Sequence, residues 1–121
     1  LLPESMGTVS QRTQVAEQLN KAYGDQSWRV VEMALERDLT ALLSSEHPFI
    51  EAQIVWAVEK EFALDPVDVL ERRIPLSLLD ETAALAILPR VCDLMAESLS
   101  WTQEARTYYE QAAVEHFHPS Q

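Results

Sequence analysis

Gly7 and Gly24 are the only glycines in 121 residues, and this scarcity limits the chain more than any single motif does. Soluble proteins average about 7% glycine. Loops that cradle phosphate need several closely spaced glycines, so that backbone N–H groups can approach the ligand. Two distant glycines build neither a dinucleotide-binding turn nor a P-loop. The rest of the composition leans to Glu, Gln, Ala, Leu and Val, which favours helix. With 47% hydrophobic residues, the chain can bury a core, and its length suits one domain.

Charge narrows the possible partners. Nine basic residues stand against twenty acidic ones, for a net charge of −11 and a pI near 4.5. Nucleic-acid binding needs clustered Lys and Arg, so this surface repels phosphate backbones. Adsorption to anionic lipid is disfavoured for the same reason. The acids are spread from Glu4 to Glu115, as expected for a solvated surface or an acidic face for a basic partner. No run reaches the ~18 apolar residues of a membrane span. Leu1, Leu2, Pro3 and Glu4 do not make a signal peptide. The first residue is not Met, and the chain reads as an excised or processed piece.

Hydrophobic periodicity and helix punctuation predict an all-α fold, a compact bundle of about six or seven short helices. Residues 1–8 read as a flexible lead-in, 9–117 as the helical domain and 118–121 as a tail. Val15, Leu19 and Ala22 mark the first helix, from about Ser10 to Ala22, with Gly24 as its C-terminal cap. Asp25 is expected to cap a second helix whose buried face is Trp28, Val31 and Leu35. "LTALLSSEHP" reads as a connector, tacked down by Leu39, Leu42 and Leu43. Pro48 is expected to open a third helix with Phe49, Ile50, Ile54, Trp56, Ala57 and Val58 on its buried side. Asp65, Pro66 and Asp68 give a strong helix start, and Pro75 a stop. Asp80 is expected to cap "ETAALAIL", and Pro89 to begin a new helix at "PRVCDLMAESL". Ser100 with Gln103 suggests a capping box for the last helix, with Trp101 and Tyr108 among its buried residues.

Candidate chemistry is sparse. There is no HExxH, no paired CxxC and no EF-hand spacing. Cys92 lies in an apolar stripe and reads as a structural thiol. His116 and His118 read as an exposed terminus, and His47, before Pro48, as a turn residue. Glu59 with Glu61, and Asp65 with Asp68, are carboxylate pairs of the kind an acidic helical protein yields by chance. Arg72 and Arg73 are conspicuous in so acidic a chain. They either complement the C-terminal dipole of a short helix or form a fork for acids on a neighbouring helix or a partner domain, with Glu59 and Glu61 as candidates. No catalytic, cofactor-binding or metal-ligating residue is assigned. Trp28, Trp56, Arg72 and Arg73 are the candidate contacts for another domain or partner.

The order of several stretches is more specific than any one of them. "PFIEA", "WAVEKEFA", "DVLERR" and "LPRVCDLMAESLSW" follow "VAEQLNKAYGDQSWRVVEMA" at compatible spacing. Together, over roughly Val9 to Phe117, they resemble the C-terminal domain of FAD-dependent glycerol-3-phosphate dehydrogenase. The family continues the arginine pair with a threonine and a third arginine; Ile74 and Pro75 stand there in this chain. The resemblance implies a non-catalytic helical cap on an enzyme that oxidises glycerol 3-phosphate to dihydroxyacetone phosphate. FAD would sit in preceding N-terminal catalytic domains, and electrons would pass to a membrane quinone or, in a related branch, to oxygen. It also implies membrane association, at the mitochondrial inner membrane or the bacterial plasma membrane. An independent acidic helical module for protein interaction is the alternative.

Overall fold

A computed structural model describes residues 2–120, which form helices and one short two-stranded hairpin. The chain divides into two compact units, the first ending at Gln53 and the second beginning at Ile54.

In the first unit, α1 (Val9–Tyr23) opens with a reciprocal capping box. Thr8 Oγ1 accepts the Gln11 N–H at 3.1 Å, and Gln11 Oε1 accepts the Thr8 N–H at 2.8 Å. Gly7 (φ 108°) lets Gln11 reach back, since a Cβ there would lie 2.4 Å from Gln11 Oε1. Within the expected lead-in, whose Leu1 lies outside the described residues, Glu4–Met6 forms a 3₁₀ turn and Met6 is fully buried. Arg12, also buried, donates to the Leu2 carbonyl. Val15 and Leu19 face inward, Ala22 does not, and Gly24 ends the helix as expected.

α2 (Ser27–Arg37) follows a 3₁₀ turn at Gly24–Gln26 and has no side-chain cap, so Asp25 does not play the expected part. Its buried face is Val30, Met33 and Ala34. Trp28 and Leu35 point outward at 56% and 58% exposure, and Val31 is half-buried. The 3₁₀ turn carries the chain into α2 without a break, and no aspartate side chain caps the helix.

The connector forms β1 (Leu42–Ser44) and β2 (His47–Ile50), an antiparallel pair. Pro48 therefore lies in a strand, and α3 (Ala52–Glu61) starts four residues later than expected. The extended backbone that Pro48 imposes on His47 suits β geometry as well as a turn. Gln53 fixes this corner. Its side chain, 1% exposed, accepts the Ile50 N–H at 2.9 Å, exchanges hydrogen bonds with Gln18 at 2.9 and 3.0 Å, and donates to Tyr23 at 3.2 Å. Gln18 also donates to the Pro48 carbonyl. A buried amide with all four of these bonds ties α1, β2 and the start of α3 together.

In the second unit, α4 (Pro66–Asp68) opens at Asp65, whose carboxylate accepts the Asp68 N–H at 2.9 Å. It runs into a wider π turn at Val69–Arg73, closed by a hydrogen bond from the Ile74 N–H to the Val69 carbonyl. Ile74 (φ −129°, ψ 89°) leaves helical geometry before Pro75. α5 (Leu76–Leu79) leads to Asp80, which caps α6 (Glu81–Leu99) by accepting the Ala83 N–H.

Pro89 lies inside α6 and starts no new helix. A proline in a helix interior costs about 3 kcal/mol. The stripe of Ala84, Ile87, Leu88, Val91, Cys92 and Met95 is buried on both sides of it, and that packing outweighs the break. Ser100, in the left-handed region (φ 56°), ends α6. Thr102, not Ser100, caps α7 (Gln103–Phe117) by accepting the Ala105 N–H. Tyr108 is exposed, and Tyr109 is the ring that stacks on Trp101, with centroids 4.5 Å apart. Arg106 joins α7 to α6: it pairs with Asp93 at 2.7 Å and Glu110 at 2.5 Å, and donates to the Pro89 carbonyl.

Two outcomes test this account. Gln53→Leu keeps the volume but strands the buried Ile50 N–H, so urea unfolding should show a loss of about 2 kcal/mol. Burial pushes the Cys92 thiol from its ordinary 9.0 up to about 12, with the Glu110 carboxylate adding to the effect. Because the folded value lies above the unfolded one, the contribution of Cys92 to stability is intact below pH 9 and drains away as pH rises toward 12. Cys92 should resist thiol reagents in the native protein at pH 8 and react only on unfolding.

Candidate functional site

The four candidate contact residues meet different fates. Trp56 is 8% exposed and belongs to the core. Trp28, in the first unit, lies on the exposed side of α2 with the Arg29 guanidinium 5.1 Å from its ring centroid. Arg73 is engaged: its Nε lies 3.2 Å from Asp68 and its Nη1 3.8 Å from Glu61, joining the π turn to the end of α3. Arg72 is exposed and makes no ion pair among the described residues.

The second unit has an open cleft of about 420 Å³ beside Arg72. Its acids already have partners. Asp65 caps α4, Asp68 meets Arg73, and Glu71 lies 2.6 Å from His116 Nε2. His118 near the chain end meets Glu81 in the same way at 3.1 Å. The cleft's apolar rim is Phe62 and Leu64, 79% and 66% exposed.

Phe62 is the residue that sequence reasoning missed. It directly follows α3 with φ 62°, in the left-handed region that a bulky side chain rarely enters. Behind it the Ala63 N–H closes on the Ala57 carbonyl at 2.9 Å. Among the described residues, three helices end on left-handed residues that are not glycine, namely Asp38, Phe62 and Ser100. Asp and Ser suit such a place better than Phe does, because their short polar side chains bond locally. A signal was present: "EKEFALDP" contains no Gly or Asn to end α3 before the next cap.

Geometry and chemistry together define a helical domain with a partly apolar, Arg-bearing edge. The carboxylates of the cleft are engaged in capping and ion pairs. Residues 3–106 match the family described as the C-terminal domain of alpha-glycerophosphate oxidase, and the chain belongs to that family. It is 37% identical over 92 residues to a probable mitochondrial glycerol-3-phosphate dehydrogenase of Dictyostelium discoideum, covering 76% of this chain and 14% of that protein. It is 36% identical over 96 residues to the mitochondrial enzyme of Mus musculus, covering 75% and 13%. It is 33% identical over 115 residues to glycerol-3-phosphate dehydrogenase SDP6, mitochondrial, of Arabidopsis thaliana, covering 95% and 18%. The chain thus spans less than one-fifth of the length of these relatives. No solved structure matches significantly.

Left-handed backbone costs a non-glycine residue roughly 1–2 kcal/mol. Phe62→Gly should therefore stabilise the chain by about 1 kcal/mol, since the exposed ring contributes little burial. A rise in Tm of a few degrees by calorimetry is the expected result.

Proposed function

We propose that this chain is the helical accessory domain of a FAD-dependent glycerol-3-phosphate dehydrogenase. The complete enzyme would oxidise glycerol 3-phosphate to dihydroxyacetone phosphate and pass the electrons to a quinone. The observation that carries this reading is the family match over residues 3–106, with relatives named for that activity. The relatives' names also support a mitochondrial setting, and the quinone partner would put the complete enzyme at the inner membrane. No helix among the described residues is long and apolar enough to cross a membrane.

The flavin is assigned to the rest of the polypeptide as well. Gly7 and Gly24 stand at the ends of a 3₁₀ turn and of α1, each serving a cap. Neither forms the clustered glycine turn that a dinucleotide pyrophosphate needs. The cleft beside Arg72 is lined by carboxylates, which repel phosphate. These residues do not fit FAD, and no step of flavin chemistry runs through them. Their part is structural: a folded body that covers and holds the catalytic domains.

The test is expression of the complete open reading frame that contains these residues, followed by an assay of glycerol 3-phosphate-dependent dye reduction. The expected outcome is a flavin-containing protein that reduces the dye, while residues 1–121 alone bind no FAD and reduce none. A complete protein that carries FAD yet ignores glycerol 3-phosphate overturns the reading. So does an open reading frame that holds this domain alone, which would favour a free-standing interaction module.

A further inference from the structure

We propose that the edge formed by Phe62, Leu64 and Arg72 is the surface on which the flavin-bearing remainder of the same polypeptide docks. The assignment rests on the accessory-domain reading above and deepens it by naming the contact.

Phe62 provides the first support. Its backbone is held in a disfavoured region and its ring is left in water. Folding of this domain gains from neither feature, and strain of this kind persists where a function uses it. Leu64 provides the second. Single exposed apolar residues are ordinary, but Phe62 and Leu64 line one cleft together with Val67 and Arg72. Charge provides the third. Asp65, Asp68 and Glu71 each have a partner in this cleft, and Arg72 has no ion pair among the described residues. An occupant that brings a carboxylate to Arg72 and an apolar side chain to Phe62 and Leu64 completes the surface. Arg and aromatic residues are the usual anchors of such contacts.

The occupant is the rest of the same chain for two reasons. In the relatives, the aligned region is only 13% to 18% of the protein, so a much larger body must be met by this small domain. A second copy fits poorly. It would bring the same cleft, whose carboxylates are already engaged, and a further net charge of −11.

Phe62 is to be replaced by photoreactive p-benzoylphenylalanine in the complete protein. Its exposure means that the replacement leaves the domain's packing intact. After irradiation, mass spectrometry should find an intrachain cross-link from position 62 to a peptide outside these 121 residues. Arg72→Glu should lower its yield several-fold. Cross-links to a second copy, to lipid, or only within the 121 residues would overturn the assignment, as would none at all. Dye reduction measured on the same sample separates the two readings. An active enzyme without the cross-link sinks the docking surface alone. The cross-link in a protein that ignores glycerol 3-phosphate sinks the enzyme reading alone.

Discussion

Helix ends govern this structure. Each helix leaves N–H groups at its start and carbonyls at its end without intrahelical partners. A chain with two glycines must satisfy them by other means. At the starts it uses Thr8, Asp65, Asp80 and Thr102, each accepting a backbone N–H three residues on. At the ends it turns left-handed at Asp38, Phe62 and Ser100. Behind Asp38 and Ser100, the Leu39 and Trp101 N–H groups return to Ala34 and Ala96, closing the last turn. The short connections between helices follow from these caps, and the cleft beside Arg72 lies where one such end meets the next start.

The acidic composition takes on a different meaning once the partners are placed. Several carboxylates are occupied: Asp93 and Glu110 by Arg106, Asp68 and Glu61 by Arg73, Glu71 by His116. Exposed pairs of this kind stabilise only slightly one by one. Arg106 is the stronger case, since it is half-buried, pairs with two carboxylates and also bonds a backbone carbonyl. The arginine pair noticed in the sequence separates into two roles. Arg73 fastens the π turn to α3, whereas Arg72 is exposed and has no ion pair among the described residues.

Much of the helical order was legible because capping has a local chemical code. Asp65–Pro66, Asp80 and Gly24 announced helix limits correctly, and the family resemblance came from the order of apolar and charged stretches. What escaped the sequence depended on partners far along the chain. Pro48 reads as a helix opener until Gln18 and Gln53 hold its strand in place. Pro89 reads as a break until the apolar stripe of α6 is seen to continue through it. The face of α2 was misjudged because Val30, Met33 and Ala34, which are buried, and Trp28, Val31 and Leu35 both fit helical spacing, and periodicity alone does not choose between them. Phe62 was missed because the sign of φ is a property of the backbone, and its one trace in the sequence is the lack of Gly or Asn in "EKEFALDP".

The three tryptophans occupy three unlike settings: Trp28 in water beside Arg29, Trp56 in the core, and Trp101 pressed against Tyr109. The molecule therefore carries its own optical reporters. Collisional quenchers reach the Trp28 indole readily and Trp56 hardly at all, and Trp101 shares its excitation with a stacked phenol. Loss of the core, release of the α6–α7 corner and covering of the α2 surface would each change a different part of the emission, without any label being introduced.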